Sequence, residues 1–92
     1  MQKERDIEAE VMEYAETLGC LQLKLIMLNI MGWPDRLVLY MGKILFIEFK
    51  LPGEKPTKIQ LWMHDRLKKH LFKVAVIDNV ADGKVQINEL VS

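Results

Sequence analysis

The chain reads as an α/β domain with a mixed central sheet flanked by helices, in the order α-β-β-β-α-β. Three observations in its 92 residues carry that reading. Residues 3–18 place Ile7, Val11, Tyr14, Ala15 and Leu18 at three- and four-residue spacing, the period of a helix with one buried stripe. Residues 35–50 read as two short apolar strands folded about Gly42. A helical stretch at 57–71 then separates that hairpin from another apolar strand at 73–78. Strand, helix and strand at this spacing imply a crossover, and so parallel pairing with the hairpin's second strand.

Taken in order, Gly19 stops the first helix as a C-terminal cap glycine. Residues 21–28 form a strand with Leu21, Leu23 and Leu25 on one face and Gln22 and Lys24 on the other. Residues 29–34 are a loop, because Pro34 has no N–H for a ladder and Gly32 frees the backbone. Within the hairpin (35–41 and 43–50), Ile44-Leu45-Phe46-Ile47 lacks alternation, which predicts a central strand covered on both faces. Pro52-Gly53 turns the loop 51–56. Thr57 caps the second helix, and Gln60 stands at the third helical position, completing a capping box. Ile59, Trp62, Met63, Arg66 and Leu67 lie roughly along one side and predict its packed stripe. After Asp82-Gly83 the tail fits an edge strand at 85–87 or a helical turn, and its pattern does not choose.

Length and composition predict one domain with a compact core. Half of the residues are hydrophobic and six are methionines, which leaves apolar surface for self-association. The single Cys20 reads as core and excludes an internal disulfide or a cysteine-based zinc cluster. No stretch has the length of a membrane span, and the charged opening helix is not a signal peptide, so the expected place is the cytoplasm. A formal net charge of zero hides a segregation. Residues 1–20 set Lys3 and Arg5 against six acids, whereas residues 21–73 set ten Lys and Arg against Asp35, Glu48, Glu54 and Asp65. The basic middle can meet phosphates, with modest and salt-sensitive affinity.

Chemistry concentrates in that middle. Glu48 and Lys50 are two apart on one strand and project together, and the turn at Gly42 folds Asp35 back towards Glu48. Two carboxylates beside one lysine suit a hard divalent cation, leaving the lysine to orient water or meet developing negative charge. That arrangement fits phosphodiester hydrolysis. Pro34-Asp35 and Glu48-Phe49-Lys50 resemble the two halves of the PD-(D/E)XK nuclease motif. With Gly32 and Arg36 around Pro34-Asp35, Pro52-Gly53 and Gln60 behind it, and Glu4 to Glu8 on the opening helix, the chain is similar to stand-alone VRR-Nuc domains of phage or bacteria. The likeness spans nearly everything except the last dozen residues.

The resemblance implies a restriction-endonuclease-like core and a Mg²⁺- or Mn²⁺-dependent DNA endonuclease. It also implies action on branched DNA such as Holliday junctions, as a homodimer, in a bacterial or phage-infected cell. It assigns Asp35, Glu48 and the Phe49 carbonyl to the metal, and Lys50 to the nucleophile. It further implies a third acid from the opening helix, reaching the metal through water. Glu8 is preferred to Glu4, since it sits further into the helix beside Ile7 and Val11. Gln60 is either part of the site, as the family places it, or only a cap. Lys24, Arg36, Lys55 and Lys58 are candidate phosphate contacts, Lys24 by lining the same cleft. His64 and His70 lack zinc spacing and read as surface residues. Trp62 is expected in the core, and Met31, Trp33 and Tyr40 in a dimer interface. The rivals are a non-cleaving module that binds DNA or protein, and a sequence-specific restriction enzyme. Intact Asp35, Glu48 and Lys50 oppose the first, and the lack of an added recognition segment opposes the second.

Overall fold

A computed structural model describes residues 3–26 and 30–92. Helix α1 (Glu4–Thr17) leads into strand β1 (Leu21–Lys24), the hairpin β2 (Arg36–Tyr40) and β3 (Lys43–Phe49), helix α2 (Lys58–Lys69), strand β4 (Lys73–Ile77) and helix α3 (Val80–Val91). The sheet order is β1-β2-β3-β4, with β1 and β2 antiparallel, β2 and β3 antiparallel, and β3 and β4 parallel. The hairpin and the parallel crossover are therefore as the sequence predicts. β1 ends at Lys24, short of the expected strand, whose last two positions, like Asn29, lie outside the described residues.

The tail resolves in favour of a full helix. Asn79 caps α3 by accepting from the Asp82 N–H at 2.8 Å, so Asp82-Gly83 is the first turn of a helix and not a loop. A Cβ on Gly83 would lie 2.4 Å from Val11 Cγ2, so glycine is what lets α3 close onto α1. That packing needed knowledge of the partner helix, which local pattern does not carry.

Hydrophobic burial divides between the two faces of the sheet. On one face Ile7, Val11 and Ala15 of α1 and Ile87 and Leu90 of α3 enclose Val38, Leu45, Ile47, Phe49, Ala75 and Ile77. On the other, Met63 and Leu67 of α2 pack on Phe46, with Leu25, Trp33, Leu37 and Val74 around them. One helix, about 10 Å across, cannot cover four strands spaced about 4.8 Å apart. Leu21 and Leu23 consequently remain 70% and 53% exposed. The predicted stripe of α2 is rotated: Met63, His64 and Leu67 are buried, whereas Ile59 and Trp62 face outward. Trp62 carries the Arg66 guanidinium 4.9 Å above its ring rather than entering the core. Tyr40 packs against the α1/α3 core, apart from the exposed Met31 and the half-buried Trp33 on Phe46.

Candidate active site

The site forms where β2 begins and β3 ends, and the hairpin register builds it. Met41 and Gly42 have φ of 46° and 80°, so a two-residue turn with both residues left-handed joins Tyr40 to Lys43. Counting outward from that turn, Arg36 faces Ile47, and one further step sets Asp35 opposite Glu48. Gly32 supports the approach to Asp35 from behind. A Cβ there would stand 2.5 Å from the Ile59 carbonyl oxygen, so only glycine lets this loop lie on the first turn of α2. Asp35 is fixed by the Phe49 N–H, which donates to its Oδ2 at 2.8 Å, and its own carbonyl accepts from Leu25 N–H at 2.8 Å.

Glu48 is 2% exposed on the central strand, and Lys50 beside it is 8% exposed. Burial, then the charge of Asp35 and a hydrogen bond to it, push the Glu48 carboxyl up to about 8, against a smaller pull from Lys50. At neutral pH the metal-free site therefore favours the protonated Glu48 carboxyl. Glu4, at the start of α1, lies in the same field: burial and Asp35 raise it, and Lys50 lowers it. Among the described residues no three Asp, Glu, His or Cys side chains gather closely enough to hold a metal unaided. The donor set still fits a hard cation. Mg²⁺ is held through one or two carboxylates and completes its shell with water, carbonyl and phosphate oxygens.

No family model matches the sequence. Over 78 residues, 84% of each chain, it is 41% identical to a protein named "Putative nuclease p44" from Acyrthosiphon pisum secondary endosymbiont phage 1. A solved structure described as a VRR_NUC domain superposes with a TM-score of 0.86 at 33% identity, covering 96% of this chain and 97% of that one. The chain belongs to the VRR-Nuc nuclease family.

In this VRR-Nuc domain, the remaining residues singled out by sequence divide sharply. Glu8 is not turned towards Asp35 and Glu48. It pairs with Arg36, whose guanidinium also donates to Gln22. The reason is parity. Arg36 pairs with Ile47 and so projects to the α1 face, whereas Asp35 and Glu48 share the α2 face. Arg36 is thus engaged within the protein and half-buried, in place of the expected phosphate contact. Lys24 pairs with Arg36 across β1 and β2 and starts from that same α1 face, opposite to the face of Glu48. Lys55 and Lys58 are exposed just beyond the motif. The loop carrying Lys55 is pinned where Gly53 N–H donates to Asp78 Oδ2 at 2.9 Å, a bond that holds the Asp78 carboxyl below its usual range.

Gln60 plays both parts between which the sequence left a choice. Its Oε1 accepts from Thr57 N–H at 2.9 Å, closing the capping box, while its Nε2 donates to Glu48 Oε2 at 3.4 Å. The residue that sequence reasoning missed is His64. It is 2% exposed, with Nε2 3.3 Å from Glu48 Oε1, and not on the surface. Burial, then Lys68 and Lys50, lower its pKa and keep it neutral. The signal was present: Gln60, Met63, His64 and Leu67 are spaced i, i+3, i+4 and i+7, a cleaner helical face than the one chosen for its aliphatic and aromatic weight.

Proposed function

We propose that this VRR-Nuc domain is a Mg²⁺- or Mn²⁺-dependent DNA endonuclease acting as a homodimer on branched DNA such as four-way junctions, in the cytoplasm of a bacterial or phage-infected cell. The observation that carries the reading is the Asp35–Glu48 pair, two carboxylates that the hairpin register sets opposite each other where a divalent cation would offset their charge. Asp35 and Glu48 would hold the ion, with the Phe49 carbonyl as a neutral donor and Glu4, in place of Glu8, as the helix acid acting through water. When bound, the ion makes water a better nucleophile and stabilises charge building on phosphorus. Lys50, alternating with Phe49 onto the Glu48 face, orients the nucleophile or offsets that charge. Gln60 steadies Glu48, and Lys55 and Lys58 lie where a phosphate backbone entering the cleft would meet them.

The dimer reading draws on the half-covered α2 face, where Leu21 and Leu23 stay exposed. A groove of about 490 Å³ runs there between Ile30, Trp33, Trp62, Met63, Leu67 and Phe72. A second copy is the occupant we favour, because twofold symmetry would set two sites against a symmetric junction. The test is incubation with Mg²⁺ or Mn²⁺ and single-stranded, duplex, flap and four-way DNAs, with sedimentation at micromolar concentration. Paired nicks placed symmetrically in the junction are expected. Metal-independent cleavage overturns the chemistry, and an active monomer of 10.8 kDa overturns the assembly.

A further inference from the structure

On the metal-nuclease reading, His64 is the buried polar side chain left without a task. It sits between Met63 and the Leu67 turn, where an aliphatic side chain would pack without a desolvation cost. Among the described residues its polar contact is Nε2 to Glu48 Oε1 at 3.3 Å. Gln60 stands one helical turn earlier on the same face and takes the other oxygen, Oε2, at 3.4 Å. We propose that His64 is a positioning residue, which donates its Nε2–H to Glu48 Oε1 and, with Gln60, clamps the carboxylate in the orientation that receives the metal.

The geometry suits a clamp. A carboxylate oxygen has two acceptor directions, so one donor on each oxygen leaves two, on the side shared with Asp35, for a cation. Thr57 N–H fixes the Gln60 amide, which turns its NH₂ and not its oxygen to Glu48. Both donors belong to one helix, so they keep a constant spacing while β3 holds the backbone of Glu48. Without His64 the carboxylate can rotate about its terminal torsion, which is broad and soft. The ordering His64 supplies would then be lost from metal binding. This is how partners behind metal ligands act: they fix orientation, and their loss lowers affinity by ~10–100-fold.

The test is calorimetric titration of the full chain with Mn²⁺, with no DNA present. His64→Met keeps the volume and removes the donor, and should weaken Mn²⁺ binding by ~10–100-fold. His64→Gln restores an N–H near the reach of Nε2 and should stay within ~3-fold of the unsubstituted chain, a rescue that a purely space-filling role would not need. Equal affinity in the His64→Met variant, or Gln no better than Met, overturns the proposal. Should His64→Met fail to fold, ¹⁵N spectra of the Mg²⁺-saturated, unsubstituted chain decide. The Nε2–H tautomer is expected, and the Nδ1–H tautomer overturns it. Absence of any divalent-metal binding by the unsubstituted chain overturns the metal reading itself, and is thus distinguishable from failure of the clamp.

Discussion

The sheet face beneath α1 and α3 buries Ile7, Val11, Leu45, Ile47, Phe49 and Ile87 with no polar side chain among them, whereas the face beneath α2 buries Glu48 and His64 beside Phe46 and leaves Leu21 and Leu23 in solvent. On the first face Glu8, Arg36 and Gln22 are half-buried and satisfy one another, and the apolar centre closes tightly enough to require a glycine at 83. The second hides Glu48 and His64, which meet each other, and cannot close over the cleft it serves. Stability and chemistry are therefore held on opposite sides of β3, whose alternating side chains feed both.

The comparison predicts that the two faces fail differently. Asp35→Asn and Glu48→Gln should each reduce cleavage by orders of magnitude, measured on junction DNA at saturating Mn²⁺. Their thermal stability in metal-free buffer should hold or rise, since carboxylate repulsion is relieved. Near-normal cleavage by either variant would break the division. On the other face, Gly83→Ala should cost stability without touching metal affinity. The overpacking against Val11, ~1–3 kcal/mol, exceeds the ~1 kcal/mol that alanine gains in a helix. Urea denaturation checks this, and adding Val11→Ala should recover most of the loss.

A third prediction follows from Glu48. Its carboxyl lies near 4.5 in the unfolded chain and at about 8 in the metal-free fold, so between those values the folded state binds more protons. Metal-free stability should therefore fall as pH rises from about 4.5 to about 8. Glu48→Gln should flatten much of that slope, and a profile unchanged by the substitution would contradict the assignment. Gln60→Ala bridges the faces, costing ~0.5–2 kcal/mol through the lost cap and lowering metal affinity through the lost contact to Glu48. A stability loss with unchanged metal binding would reduce Gln60 to a cap. The smallest effect is at the hairpin. Met41 holds φ of 46° while 83% exposed, so Met41→Asn should stabilise by a few tenths to ~1 kcal/mol, read from a shifted denaturation midpoint.

Legibility followed the range of the interaction. The pairing of Asp35 with Glu48 could be counted in advance, because strand side chains alternate strictly and a two-residue turn fixes register. The parallel crossover through α2 was legible for a similar reason, since the chain length between the strands permits little else. The rotation of α2 was not. Two adjacent stripes on that helix have nearly the same period, and a buried imidazole gains its place only from a carboxylate sixteen residues away. Hydrophobicity favoured Trp62, which the incompletely covered face leaves outside.

By itself, the sequence determined the three-stranded opening, the capped helices α1 and α2, and the convergence of a carboxylate pair with Lys50, all set by short-range periodicity and turn chemistry. Only the tertiary structure decided that α3 is a helix whose Gly83 meets Val11 of α1, that Glu8 belongs to Arg36, that Glu4 shares the field of Asp35, and that His64 faces Glu48. Each of those depends on which groups meet after the layers pack, and on the rule that a charge or dipole taken out of water must find its partner there.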